Sequence, residues 1–155
     1  MDKIDTSPPP LIIRPLTAED AVAAADLSSQ LGYPGSPENF RQRLGEISQS
    51  SDRVALAAVL NDQLAGWIDA SIERHLQSSD SVVIGGLVVR DNVRGLGIGR
   101  RLCYEIELWA QSRSIQTLRV RSQIFREDAH RFYLRDGYRK VKTSLVFEKT
   151  LPKIP

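Results

Sequence analysis

The sequence predicts one mixed α/β domain with helices covering a mixed sheet, and three observations carry that reading. Stretches of strand and helix character alternate in the order β-α-α-β-β-β-α-β-α-β(-β). Strand, glycine loop, helix and strand follow one another over residues 81–121, the pattern of a right-handed crossover between parallel neighbours. Ahead of it, residues 53–72 read as an antiparallel hairpin, so the sheet combines both pairings. The 155 residues suit a single domain over 11–155, preceded by a flexible leader over 1–10 that ends in Pro8-Pro9-Pro10.

Each element has a local reason. Leu11-Ile12-Ile13-Arg14 is a short first strand. Thr17-Ala18-Glu19-Asp20 resembles a helix N-cap with acids in the first turn, and an Ala-rich helix continues to Leu31 before Gly32 stops it. Tyr33-Pro34-Gly35 is a turn; Ser36-Pro37-Glu38 opens a second helix with Ser at the cap and Pro at the first position. Arg53 to Leu60 and Gln63 to Ile72 are strands joined at Asn61-Asp62. Ser81 to Val89, rich in Val and Ile, is a well-buried strand. In the next helix, Ile98, Leu102, Ile106, Trp109 and Ala110 recur at spacings of three and four and should face the core. Gln116 to Arg121 is a strand, Glu127 to Asp136 a short helix ended by Gly137, and Tyr138 to Lys149 one or two closing strands.

Composition excludes several classes. Hydrophobic residues are 41% and charged residues 26%, which rules out a mainly disordered chain. The apolar runs are too short to span a bilayer, and Met1-Asp2-Lys3-Ile4-Asp5 lacks the apolar core of a secretory signal, so no membrane association is expected. The one cysteine, Cys103, excludes an internal disulfide and fits the cytoplasm. With only His75 and His130 beside it, no metal site is expected.

Charge is uneven: residues 1–89 carry 6 Lys+Arg against 12 Asp+Glu, and residues 90–155 carry 15 against 7, so −6 and +8 make up the net +2. A half that positive suggests an anionic partner, whether nucleic acid, a membrane surface or a phosphate-bearing cofactor, and bulk charge alone does not choose among them. The segment from Leu87 to Arg101 supplies the geometry for one. A buried strand ending Leu87-Val88-Val89 feeds Arg94-Gly95-Leu96-Gly97-Ile98-Gly99-Arg100, and a helix begins inside that loop. Glycines let a backbone approach a ligand, and the first N–H groups of a helix bind phosphate oxygens. A P-loop would need Lys and then Ser or Thr after Gly99, where Arg100 stands. The dinucleotide fingerprint G-x-G-x-x-G is not met either, since Gly95, Gly97 and Gly99 make G-x-G-x-G.

This strand and loop resemble the acetyl-CoA signature of the GNAT superfamily of N-acetyltransferases, a strand ending Leu-x-Val and then Arg-Gly-x-Gly-Ile-Gly. A second match lies downstream, where Ala129-His130-Arg131-Phe132-Tyr133 followed by Gly137-Tyr138 looks like the family's late helix. The likeness runs from Leu11 to about Leu151. The tail Lys142 to Lys149 is similar to a subgroup that includes aminoalkylphosphonate and small-amine acetyltransferases.

The resemblance implies a mostly antiparallel sheet whose central parallel strands splay apart, with flanking helices. It implies direct acetyl transfer from acetyl-CoA to a primary amine, with no acyl-enzyme. Leu87, Val88 and Val89 would line the cofactor and offer an oxyanion donor. Arg94, Gly95, Leu96, Gly97, Ile98, Gly99 and Arg100 would hold the pyrophosphate, with Gln123, Ala129 and Phe132 beside them. Tyr133 would be the general acid to the leaving thiolate. Two departures stand out. Gly85-Gly86 occupies the place where many relatives carry a glutamate base, which leaves Asp69, Glu73, His75 and ordered water open. Gln123 stands where relatives often have Asn.

Cys103 and His130 read as structural residues, the latter alternatively as part of the cofactor rim. The acidic first half, with Glu38, Asp69 and Glu73, suggests a small cationic acceptor. A protein amine (lysine or N-terminus) is the alternative acceptor, and a non-catalytic CoA-binding module the alternative class. Nucleic acid is not expected, because aromatic residues are only 6% and several lie on buried faces. A homodimer is compatible with the family, in which dimers are common.

Overall fold

The computed structural model describes residues 3, 4, 7 and 9–155; the expected leader falls partly outside these residues. Five strands lie side by side in chain order: β1 (Leu11–Pro15), β2 (Arg53–Leu60), β3 (Gln63–His75), β4 (Ser78–Val89) and β5 (Leu118–Val120). The first four pair antiparallel, and β4 with β5 is parallel, so the mixed sheet read from the sequence is present. The helices are α1 (Ala21–Gln30), α2 (Pro37–Ser48), α3 (Ile98–Ser112) and α4 (Glu127–Arg135). By its internal contacts the chain forms two units, one reaching to Arg121 and the other Ser122–Pro155. The sheet and α1–α3 belong to the first.

Local chemistry sets the boundaries. Asn61 and Asp62 take φ of 51° and 59°, the left-handed pair that a two-residue hairpin turn needs to match strand twist. Ser36 Oγ accepts the Asn39 N–H at 3.1 Å, and Pro37 occupies the first turn of α2. Asp20 joins the start of the α1 region to β1: its carboxylate accepts from both terminal guanidinium nitrogens of Arg14 at 2.8 Å and from the Thr17 N–H at 2.9 Å.

The period-two alternation divides the core between the faces of the sheet. Ala55, Ala57, Leu64 and Val88 form one buried cluster with Ala21, Ala24 and Leu27 of α1 and Leu44 of α2. Trp67 packs against this cluster, edge-on to Phe40 at 6.0 Å, and its Nε1 donates to Ala24 O at 3.3 Å. Ile68, one residue on, points to the opposite face and is fully buried, as are Leu102 and Ile106 of α3. Each such side chain contributes roughly 1.5–3 kcal/mol through burial.

Three expectations need correction. Trp109 is not a core residue; it lies at the margin of α3, 5.3 Å from the Arg113 guanidinium, while Cys103 beside the seam is fully buried. The strand read as Gln63 to Ile72 does not stop there; it runs on to His75, opposite Ser78. The closing strands are absent, and residues 138–155 carry no strand. A run of strand character becomes a strand only where its N–H and C=O groups find a partner. Leu145, Val146, Phe147 and Leu151 of this tail are exposed.

In the second unit, α4 starts with Glu127 and Asp128 and ends with Arg135, charges that suit the two ends of its dipole. Gly137, at φ 92°, turns the chain out of it.

Candidate active site

The glycine loop leaves β4 through a single 3-10 turn (Asp91–Val93) and enters α3 at Gly97. Gly95 and Gly97 have φ of 82° and 78°, a region that costs other L-residues about 1–2 kcal/mol. The first closing bond of α3 is Arg101 N–H to Gly97 O at 3.0 Å, so the N–H groups of Ile98 and Gly99 precede the helical ladder. Nothing lies within 4 Å of a Cβ built on Gly95 or Gly97, which leaves the loop open on the glycine side. This is a fit for a pyrophosphate: backbone donors, a helix N-terminus and free approach. Arg94 stands exposed beside it, paired with Asp91 at 3.0 Å. Arg101 turns aside to Glu105 at 3.1 Å. Leu96 is exposed, whereas Ile98 is buried and anchors the helix start.

Next to the loop the sheet opens. β5 pairs with β4 only at Val82, Val83 and Ile84. Beyond Ile84, the side of β4 that faces away from β3 has no strand partner among the described residues, and this stretch contains Leu87, Val88 and Val89. Backbone groups on that side of the stretch have no ladder partner, the kind of donor that can meet a ligand or an oxyanion.

Gly85 and Gly86 lie at the start of that opening, and their reason is on β3. The register passes from Asp69↔Gly86 to Ala70↔Ile84, so Gly85 is the extra residue of a β-bulge. A Cβ at Gly85 would lie 2.7 Å from Asp69 Oδ2. One at Gly86 would lie 3.0 Å from the Trp67 ring and 3.1 Å from Asp69 Oδ1. The Asp69 carboxylate and Trp67 thus fill the volume that side chains on β4 would claim. Sequence reading named Asp69 but missed the bulge and Trp67; two consecutive glycines in a buried strand were the signal for both.

The other base candidates are engaged differently. Both Glu73 oxygens accept from Arg121 at 3.2 Å, and this pairing holds the Glu73 carboxyl below its usual range. His75 is exposed, 3.4 Å from Glu73. For Asp69, burial pushes the carboxyl above its usual range, against the charge of Arg53 and the Gly86 N–H, which act the other way.

In the second unit, Tyr133 is partly buried between two edge-on rings, Phe132 at 5.2 Å and Tyr138 at 5.4 Å. Ala129 and Phe132 are half-buried on the same helix. Gln123 is exposed, and the tie to α4 runs through its backbone, since His130 Nε2 is 2.9 Å from Gln123 O. This contact of His130 is made by the Gln123 backbone and does not depend on the Gln123 side chain. No group of three or more His, Cys, Asp or Glu able to hold a metal occurs among the described residues. None of their helices is long and apolar enough to cross a membrane.

Comparison with known proteins meets this geometry from outside. Residues 22–138 match the model of the acetyltransferase (GNAT) family. The chain is 31% identical over 134 residues to an aminoalkylphosphonate N-acetyltransferase of Salmonella typhimurium, covering 83% of this chain and 84% of that protein. Among solved structures it superposes on the aminoglycoside N-acetyltransferase AAC(6')-Iy in complex with CoA, with a TM-score of 0.85 and 17% identity, over 94% of this chain and 99% of that one. It also superposes on an aminoglycoside 6'-N-acetyltransferase of Acinetobacter baumannii, with a TM-score of 0.81 and 19% identity, over 92% and 100% of the two chains. The chain belongs to the GNAT acetyltransferase family and is an N-acetyltransferase.

Proposed function

We propose that the chain acts in the cytoplasm, transferring the acetyl group of acetyl-CoA directly to the primary amine of a small molecule. The observation that carries this reading is the conjunction of two neighbouring features: a glycine nest at the start of α3 and an edge of β4 left open beyond Ile84. Bound acetyl-CoA supplies an activated acetyl thioester. Arg94, the backbone from Gly95 to Gly99 and Arg100 hold its pyrophosphate through N–H donors and charge. Leu87, Val88 and Val89 line the thioester and direct a backbone N–H at the oxygen where negative charge develops. Gln123, Ala129 and Phe132 take the place beside the cofactor that the resemblance gives them. Tyr133 supplies the proton for the departing sulfur.

The acceptor is a small amine. The Salmonella relative is named for an aminoalkylphosphonate and the structural relatives for aminoglycosides. The acidic balance of residues 1–89 favours the cationic kind. A homodimer completes the reading, supported by the apolar side chains that the tail leaves in water, which a second copy would cover.

The test has two arms. Acetyl-CoA raises the melting temperature strongly, and neither duplex nor single-stranded nucleic acid does. Thiol release is then followed across an alkylamine, 2-aminoethylphosphonate, an aminoglycoside and a lysine peptide. Turnover of a small amine above the lysine peptide is the expected result. A thermal shift with no thiol release from any amine would establish a non-catalytic CoA-binding module instead.

A further inference from the structure

We infer that Asp69 accepts the proton of the acceptor ammonium; this rests on the reading above and fills the role for which β4 has no side chain. Three geometrical facts converge on it. Asp69 lies on the α1/α2 face of the sheet, opposite Ala55 on one side and Gly86 on the other. Its carboxylate occupies the space over Gly85 and Gly86, so the two glycines and the acid form one arrangement shared by neighbouring strands. Gly86 immediately precedes Leu87, which places the carboxylate at the mouth of the stretch that β5 leaves unpaired.

The surroundings suit a base. Trp67 shares with Asp69 the space over Gly86. Arg53 on β2 is the charged side chain that acts on Asp69; β4 presents only Gly85 and Gly86, and Glu73, further along β3, is occupied by Arg121. Enclosure raises proton affinity and the arginine opposes that rise, so the group binds a proton more readily than an open carboxylate. Glu73, hydrogen-bonded by a guanidinium through both oxygens, is the poorer acceptor.

The step balances. The ammonium R–NH3+ gives one proton to an Asp69 Oδ, and the freed nitrogen lone pair forms the C–N bond to the acetyl carbon. The C–S bond breaks with its electron pair going to sulfur. Sulfur gains one proton while nitrogen loses its second, and Asp69 returns its proton to solvent. One H+ is released per amide formed.

The experiment compares wild type, Asp69→Asn and the double variant Asp69→Gly/Gly85→Glu, using the panel amine that turns over fastest. Asp69→Asn keeps the acetyl-CoA thermal shift and lowers kcat by about 10²–10⁴-fold, with KM for the amine changing far less. It also loses the acid limb that Asp69 gives to the wild-type pH profile of kcat/KM, leaving only the titration of the amine. In the double variant, removing the carboxylate frees the volume a side chain at Gly85 requires, and a glutamate there restores turnover at least in part together with an acid limb. Unchanged kcat and pH profile in Asp69→Asn would overturn the inference. So would loss of the acetyl-CoA shift in that variant, since Asp69 would then serve only to support β4. A wild-type protein that shows no acetyl-CoA shift defeats the parent reading instead, and this inference with it.

Discussion

Replacing Gly97 by Ala separates what the loop needs from its backbone and what it needs from empty space. A Cβ at Gly97 meets nothing within 4 Å, so no clash arises in the free protein. The penalty is conformational, because φ is 78°. A non-glycine residue there costs about 1–2 kcal/mol. For a chain of this length each kcal/mol moves Tm by about 2–4 °C, so Gly97→Ala should melt about 2–8 °C lower. If the strained cap relaxes, the nest is lost, and acetyl-CoA affinity falls by about 5–30-fold. Gly99 is the control. It lies inside α3 without a positive φ, so Gly99→Ala should leave Tm equal or higher, alanine being favoured over glycine in a helix by up to about 1 kcal/mol. It should still weaken acetyl-CoA binding, because the methyl group obstructs close approach. Differential scanning fluorimetry with and without acetyl-CoA reads both quantities. A Gly97→Ala protein with wild-type Tm and affinity, or a Gly99→Ala protein that is unstable but binds normally, would refute the reasoning.

Asp20→Asn tests the clasp between β1 and the start of the α1 region. Arg14 holds the Asp20 carboxyl below its usual range, so its stabilisation is fully present above the unfolded pKa of about 3.9 and fades as pH falls through the lower folded value. The variant should melt below wild type at pH 7, and the gap should close in strong acid; a constant gap would assign the loss to the Thr17 cap alone. Tyr133→Phe keeps the ring between Phe132 and Tyr138, so it should lower kcat far more than acetyl-CoA affinity. Equal loss of both would mark a packing residue. Val146→Lys combined with Phe147→Lys should convert a sedimenting dimer into a monomer, and a wild-type chain that sediments as a monomer at assay concentration would remove the dimer.

Local signals were legible in the sequence, and pairings made at a distance were not. Ser36-Pro37 announced α2, Asn61-Asp62 announced the first hairpin, and the run from Arg94 to Arg100 announced a phosphate-binding turn, because each acts through its immediate neighbours. The candidate acids were visible one by one. What ranked them was β3–β4 register, in which a single extra residue at Gly85 brings Asp69 against two glycines sixteen and seventeen positions away. No periodicity within one strand encodes that. The tail shows the opposite failure: its residues have strand character, but a strand exists only where a partner completes its hydrogen bonds. Trp109 sits at a helical spacing that points toward the core, yet it falls at the edge of the buried stripe, where a neighbouring arginine covers it.

The parallel ladder of three residues between β4 and β5 has a consequence for dynamics. So few rungs hold β5 weakly, and amides of Leu118, Arg119 and Val120 should exchange with deuterated solvent sooner than those of β2 and β3. A pantetheine arm contains two amides of its own and can lie along β4 as an added strand would. Cofactor binding would then act as a zipper, slowing exchange along Leu87–Val89 and leaving the far hairpin untouched.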